Sequence, residues 1–282
     1  MISTFRFSVH KFTDINNLTF SAIEYSKLKY GSRKYARRLG MELASNFLQS
    51  VEFQNLCPNL FEKKIVVCSA PWKNIPVAST ALKDYFISEF NPIWSLDNPE
   101  VEDLKVYREH SYNEDYGVMT KEERERAITS DDFHIDKEFI KGKVLFFIDD
   151  IIVTGAHERR IESLLKSVEF EGVVLFLYYA EYQGNDNPAI ENELNYAFMK
   201  NLADMDCIIK NEILIFNTRL VKFILNSSYY EFKTFIFNQS HCFCSSLKTH
   251  IECNEYHKID EFKENYNQLT LLLANHNKPP IS

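Results

Sequence analysis

The chain has 282 residues, of which 45% are hydrophobic and 26% charged, and carries a formal charge of −8 at neutral pH. That length suits one enlarged core, and that composition excludes a mainly disordered, collagenous or disulfide-scaffold protein. The acidic balance argues against a chain whose main work is neutralising nucleic-acid phosphates or anionic lipid, so no nucleic acid and no membrane is expected among its partners.

In chain order, residues 4–9 alternate as a half-buried strand does, and residues 32–49 carry Ala36, Leu39, Leu43 and Phe47 at helical spacing. Ser32 is suited to cap that helix, whose polar side carries Arg33, Lys34, Arg37 and Arg38. Those cations read either as a solvated face or as a wall beside an anionic ligand. A strand at 65–68, a turn at 69–76 and a helix at 77–90 follow, then a short extended piece at 93–96. Residues 97–138 hold 14 acidic and 6 basic residues and no sustained apolar period, which makes about 97–141 a candidate lid, the alternative being an acidic connector without catalytic contacts. Next come an apolar run at 144–148, a helix at 158–168 and a second apolar run at 173–179. Runs without alternation suit strands buried on both faces, so the expected fold class is α/β, a parallel sheet flanked by helices. Helices at 189–205, 212–225 and 259–274 form a C-terminal helical extension. The expected organisation is an N-terminal strand and helix element at 1–60, a core at 61–186 and a helical cap at 187–282. The longest apolar runs, such as 173–180, fall far below the ~20 residues a membrane span needs, and no basic-then-apolar leader is visible. With its six cysteines read as reduced thiols, the protein is expected in the cytoplasm.

Ligands of parallel sheets bind beyond the carboxyl ends of the strands, so the residues just after each apolar run matter most. In VLFFIDDIIVTGA at 144–156, a buried strand ends in Asp149 and Asp150, and a tight turn through Val153, Thr154, Gly155 and Ala156 opens a helix at His157. The turn and helix start offer backbone N–H groups and a positive dipole end to a phosphate; Gly155 lets the backbone approach, and Thr154 adds a hydroxyl. The two carboxylates suit ribose hydroxyls with a magnesium ion nearby.

This stretch resembles the PRPP-binding motif of type I phosphoribosyltransferases, PRPP being 5-phosphoribosyl 1-pyrophosphate. A second stretch, IVVCSAPWKNIPVA at 65–78, looks like the pyrophosphate loop of the same superfamily, most like that of the orotate enzymes. The resemblance implies that Ala70, Pro71, Trp72 and Asn74 present backbone to the pyrophosphate and that Lys73 adds a point charge. Asn74 stands where the family often has glycine, consistent with a positive φ that Asn tolerates. Within the lid, REHSYNEDYG at 108–117 resembles the flexible loop of purine-type relatives, which implies that Arg108 and Ser111 contact pyrophosphate and that Tyr112 excludes water. The whole pattern, with YSKLKYG at 25–31 and FHID at 133–136, is similar to a bacterial phosphoribosyltransferase group of stress-response and tellurium-resistance operons over about residues 20–180. The implied reaction moves the 5-phosphoribosyl group from PRPP to a nitrogen of a base-like acceptor and releases pyrophosphate, with Mg²⁺ carried on PRPP near Asp149 and Asp150. The alternative is a non-catalytic module that senses PRPP or a nucleotide. A homodimer is expected by analogy alone.

The pattern also departs from its relatives. Purine-salvage enzymes often carry an acid just before Thr-Gly, and Val153 transfers no proton, which disfavours a 6-oxopurine acceptor. Glu109, His110 and His134 are the alternative proton carriers, none singled out by spacing. The acceptor is expected beyond the 173–179 strand, where Tyr179, Glu181 and Tyr182 either stack on and hydrogen-bond a planar ring or form an aromatic strand end packed under the C-terminal helices. His241, Cys242, Cys244, His250, Cys253 and His257 gather N and S donors without a paired knuckle, so apolar cysteines rather than a zinc site are expected.

Overall fold

A computed structural model describes residues 1–61, 63–109, 133–184 and 189–276. Strand β1 (Ile2–Phe12) leads into helices α1 (Ala22–Lys29), α2 (Arg33–Gln49) and α3 (Val51–Leu60). Each helix starts on a serine: Ser21, Ser32 and Ser50 accept from the amides of Glu24, Tyr35 and Phe53, satisfying donors that the first turn leaves open. Then come β2 (Ile65–Ser69), α4 (Ala78–Trp94), β3 (Glu102–Asp103), β4 (Tyr107–Arg108), β5 (Phe133–His134) and α5 (Lys137–Ile140). Strand β6 (Val144–Ile152), helix α6 (Ala156–Ser167) and strand β7 (Gly172–Tyr182) complete the α/β part.

The sheet has the order β1-β7-β6-β2-β3 with every neighbouring pair parallel, while β4 and β5 form a separate antiparallel ribbon. Strand β6 lies in the middle and both its faces are covered, which is why its sequence is apolar without alternation. One face packs Phe47, Phe86, Phe90 and Phe146 under α2 and α4; the other packs Phe147, Leu165 and Phe176 under α6. The register sets Ser69 opposite Ile148 and Asp149 opposite Tyr178, so β2, β6 and β7 end at one level.

The C-terminal helices are α7 (Ala189–Asn195), α8 (Leu202–Asn211), α9 (Thr218–Leu225), α10 (Tyr229–Phe237), α11 (His241–Cys253) and α12 (Asp260–His276). They enclose a core of their own around Leu220, Phe232, Leu247 and Phe262. No helix among the described residues is long and apolar enough to cross a membrane, and all six cysteines are free thiols.

Three expected elements differ, one being the helix at 212–225, which starts only at Thr218 because the Asn217 side chain caps it there. Of the expected extended piece at 93–96, Ile93 and Trp94 instead end α4 and the next two residues turn away from it: Phe86, Phe90 and Trp94 repeat every four residues and stack at 5.3 and 5.8 Å, which carries the helix past Pro92. The helix at 189–205 breaks in two because Asn201 and Asp204 form a reciprocal capping box that starts α8. On α2, Arg33 donates to the Tyr85 hydroxyl at 2.7 Å and Arg38 meets Glu24 at 2.5 Å, so these two cations hold neighbouring helices.

Candidate active site

A cavity of about 230 Å³ opens where β2 and β6 end and α6 begins. Ala70, Pro71, Trp72 and Lys73 line it from the loop after β2, and Arg108 from β4. Asp149, Asp150, Val153, Thr154, Gly155, Ala156 and His157 line it from β6 and the following turn. The two stretches singled out in the sequence, 71 residues apart between Ala78 and Asp149 at their nearer acid, thus meet at one opening.

The two aspartates differ because successive strand residues face opposite ways. Asp150 is buried: the Tyr25 hydroxyl donates to Oδ2 and Lys29 Nζ donates to the same oxygen at 2.5 Å, both from α1. Burial pushes the Asp150 carboxyl up, but the Lys29 charge and the hydrogen bonds it receives outweigh this and hold it below its ordinary range. Asp149 keeps 19% of its side chain exposed, with Oδ2 at 3.6 Å from His157 Nδ1 and Oδ1 accepting from the Asp150 amide at 3.0 Å. Burial and the adjacent Asp150 charge push the Asp149 carboxyl up, and His157 offsets them only in part.

The turn before α6 is built for close backbone approach. Gly155 is left-handed, with φ +67°, and no side chain caps the helix behind it. Arg159 Nη1 donates to the Thr154 carbonyl at 2.8 Å and braces the turn from below. Glu158 is pinned by Arg6 at 2.9 Å and by the Tyr178 hydroxyl at 3.1 Å, which ties the first turn of α6 to β1 and β7.

The loop after β2 is fastened from two sides. Lys105 Nζ stands 3.6 Å over the Trp72 ring and donates to the Lys73 carbonyl at 2.5 Å. The Trp72 amide donates to the Val106 carbonyl at 3.3 Å. Asn254, next to the end of α11, accepts from the amides of Asn74 and Ile75, each at 3.1 Å, and Lys73 meets Glu255 at 3.2 Å. Two expectations change here. Asn74 points to the C-terminal helices, donating to the Cys253 carbonyl at 2.5 Å, and is absent from the cavity lining. Nor does it take a positive φ, which among described non-glycine residues occurs only at Glu169 and Glu255. The Asn254 side chain satisfies the amides that a left-handed turn would otherwise rearrange.

Tyr179, Glu181 and Tyr182 do not line the cavity. Tyr179 packs edge-on to His10 and donates to Glu42, Glu181 lies 3.5 Å from Arg6, and Tyr182 packs on Phe12. Strand alternation turns Tyr178, not Tyr179, to the cavity. Glu109 and His134 meet each other at 3.1 Å across the β4–β5 ribbon, outside the lining. His110, Ser111 and Tyr112 lie outside the described residues.

Magnesium takes oxygen ligands and keeps several positions for water or substrate phosphates. Asp149 offers oxygens to the cavity, whereas Asp150 is committed to Lys29 and Tyr25. The residues therefore fit an ion that arrives on a phosphate ligand more than one held by carboxylates alone. Farther away, His250 stacks on Phe216 at 4.4 Å and Cys244 is buried with its Sγ near the Ile236 carbonyl. Among the described residues, no three His, Cys, Asp or Glu side chains are grouped to hold a metal ion.

The sequence reading assigns no role to Tyr25 and Lys29, although both lie in YSKLKYG, and it does not single out Lys105, Asn254, Glu191, Arg219 and Phe223, the last three lining the cavity from the C-terminal helices. Tyr25 and Lys29 had a signal, since the i, i+4 spacing sets both on one face of α1. Asn254 had none.

No curated protein matches the chain. Among solved structures it is similar to a hypoxanthine phosphoribosyltransferase from Staphylococcus aureus, at 13% identity over 55% of this chain and 76% of that one, with a TM-score of 0.31. It is also similar to a mutant hypoxanthine phosphoribosyltransferase from Trypanosoma cruzi complexed with the product IMP, at 10% identity over 55% and 77% of the two chains, with a TM-score of 0.32. From residue 4 to residue 269, sheet and C-terminal helices alike, the sequence matches the PRTase ComF-like family, and the chain belongs to that family.

Proposed function

We propose that this protein transfers the 5-phosphoribosyl group of PRPP to a ring nitrogen of a base-like acceptor and releases pyrophosphate. The observation that carries this reading is the meeting, at one cavity, of the Asp149–Asp150 strand end, the turn from Thr154 to His157 and the loop from Ala70 to Lys73. Amides of the turn, aided by Thr154 and His157, hold the 5′-phosphate. Asp149 accepts from the ribose hydroxyls. Asp150, locked to Lys29, fixes the end of β6 and orients Asp149 through its own amide. Lys73 and Arg108 stabilise the charge that grows on the leaving pyrophosphate as the bond to C1 breaks. Ser111 and Tyr112 belong to this reading as lid contacts. Magnesium, when bound on PRPP, neutralises pyrophosphate charge.

The test is pyrophosphate release during incubation with PRPP, magnesium and a set of heterocyclic bases. Release by the wild type and its loss in Lys73→Ala are expected; PRPP binding without release would favour the second reading.

That second reading, a PRPP sensor, is favoured by the clasp of Asn254 and Glu255 on the loop, which couples the cavity to the C-terminal helices. Under it, PRPP changes hydrogen-exchange protection in α11 and α12 and is not consumed.

A further inference from the structure

The motif leaves the acceptor half of the reaction without a proton acceptor: Val153 carries no proton, and Tyr179, Glu181 and Tyr182 of β7 face elsewhere. The opposite wall of the cavity comes from the C-terminal helices. On α9 and its C-cap, Arg219, Lys222, Phe223 and Asn226 recur at i, i+3, i+4 and i+7 and line the cavity, while Leu220, Val221, Ile224 and Leu225 are buried in the helical core. Glu191 of α7 lines the same wall, 3.9 Å from Arg219, with side chains 13% and 15% exposed. Phe223 meets Tyr30 edge-on at 5.0 Å between centroids, and Tyr196 completes the aromatic group at 6.1 Å from Tyr30.

Two relations separate the ends of this wall. Burial pushes the Tyr25 hydroxyl well up, the Asp150 and Glu191 charges push the same way, and Arg219 opposes them. Glu191 and Arg219 therefore stand within electrostatic reach of Tyr25, whose hydroxyl donates to Asp150 at the end of β6. Lys222 instead lies 5.7 Å from the ring of Tyr256, adjacent in the chain to the Glu255 that meets Lys73, at the pyrophosphate end.

We propose that Glu191 and Arg219 are the acceptor-recognition pair: Glu191 takes the proton of the attacking ring nitrogen, and Arg219 holds an oxo or carboxylate oxygen of the same planar heterocycle. The inference rests on the PRPP reading given above. In the step, the N–C1 bond forms as the C1–O bond to pyrophosphate breaks; the electron pair leaves with pyrophosphate and the ring N–H proton passes to the Glu191 carboxylate. The ring lies against Phe223 and Tyr196. The acceptor class is a nitrogen heterocycle with an N–H and a neighbouring oxygen acceptor. A ring that offers an amino group at that position meets Arg219 donor to donor and is rejected. Glu191 thus supplies, from another part of the chain, the proton acceptor that Val153 does not provide.

The test measures PRPP affinity by calorimetry and pyrophosphate release by the full chain with hypoxanthine, uracil and uracil carboxylates, all of which carry a ring N–H, against adenine. Release with at least one oxo or carboxy heterocycle and none with adenine is expected. Glu191→Gln should lower kcat by about 10²-fold or more, with PRPP affinity within about threefold and an unchanged melting temperature, and Glu191→Asp should recover part of the loss. Arg219→Gln should raise KM for the oxo or carboxy acceptor about tenfold or more and narrow its advantage over adenine. Full turnover in Glu191→Gln, a preference for adenine, or no release with any oxo or carboxy heterocycle while PRPP binds normally would overturn the assignment. So would a tenfold loss of PRPP affinity in either variant, which would give the pair to PRPP. If wild type binds no PRPP at all, the PRPP reading fails first and the inference falls with it.

Discussion

Lys29 and Asp150, 121 residues apart in the chain, form an ion pair of 2.5 Å whose side chains are only 9% and 6% exposed. The pair clamps α1 onto the end of β6 and removes one of the two motif carboxylates from direct service to a ligand. Breaking it from one side leaves a buried charge without its partner, which costs more than the pair gains over an apolar replacement.

Lys29→Met should therefore lower unfolding free energy by about 3–5 kcal/mol, read from urea denaturation at neutral pH. The pH dependence has a definite sign. Asp150 is held below its ordinary 3.8, so its contribution is present above that value and is lost as pH falls through the lower folded value. Acid unfolding of the wild type should show this loss below about pH 4, and Lys29→Met should show much less of it. A loss under about 1 kcal/mol in the variant would mean that the pair is not a clamp.

Asp149 should behave in the opposite way. Its folded carboxyl is pushed up by burial, so it adds stability only below its ordinary 3.8, and that contribution is gone once pH rises through the folded value. At neutral pH, Asp149→Asn should leave the melting temperature unchanged or raise it. A marked drop would show that the carboxylate is structural.

Gly155→Ala tests the turn. Its left-handed φ of +67° costs a residue with a Cβ about 1–2 kcal/mol, and the new methyl would stand 3.3 Å from Arg159 Nη1. We expect a melting temperature lower by a few degrees and a weaker response to PRPP, because the turn amides shift. An unchanged thermal shift with PRPP would take the phosphate away from this turn.

Asn254→Ala tests the clasp on the loop after β2. It removes the acceptor of two amides and the donor to the Tyr256 hydroxyl at 3.0 Å, so about 1–3 kcal/mol of stability should be lost. Hydrogen exchange at the amides of Asn74 and Ile75 should rise with it. Unchanged exchange at these two amides would show that the loop holds itself.

Much of this architecture is written locally. The apolar run before Asp149 declares a central strand because nothing in it alternates, and Gly155 after Thr154 declares a left-handed turn into a helix because few other residues take that backbone. What stays hidden is long-range: Lys29 reads as one more helix lysine until the fold brings it to Asp150, and Asn254 reads as a helix end until it meets the Asn74 amide. Ile93 misleads because an apolar residue beyond Pro92 looks extended, while the Phe86, Phe90 and Trp94 stack holds the helix. Tyr179 misleads by one position, which in a strand is the opposite face. Glu191 and Arg219 carry no local sign of facing a cavity, since only the packing of α7 and α9 in the fold turns those side chains to it.

The central claim is that the cavity at Asp149 and Gly155 holds PRPP, and calorimetric titration of PRPP with magnesium into wild type and Asp149→Asn tests it most directly. The account predicts saturable one-to-one binding by the wild type and affinity weaker by about tenfold or more in the variant, as befits a lost charged hydrogen bond to a sugar hydroxyl. Equal affinity in both proteins, or no binding by the wild type, would contradict it.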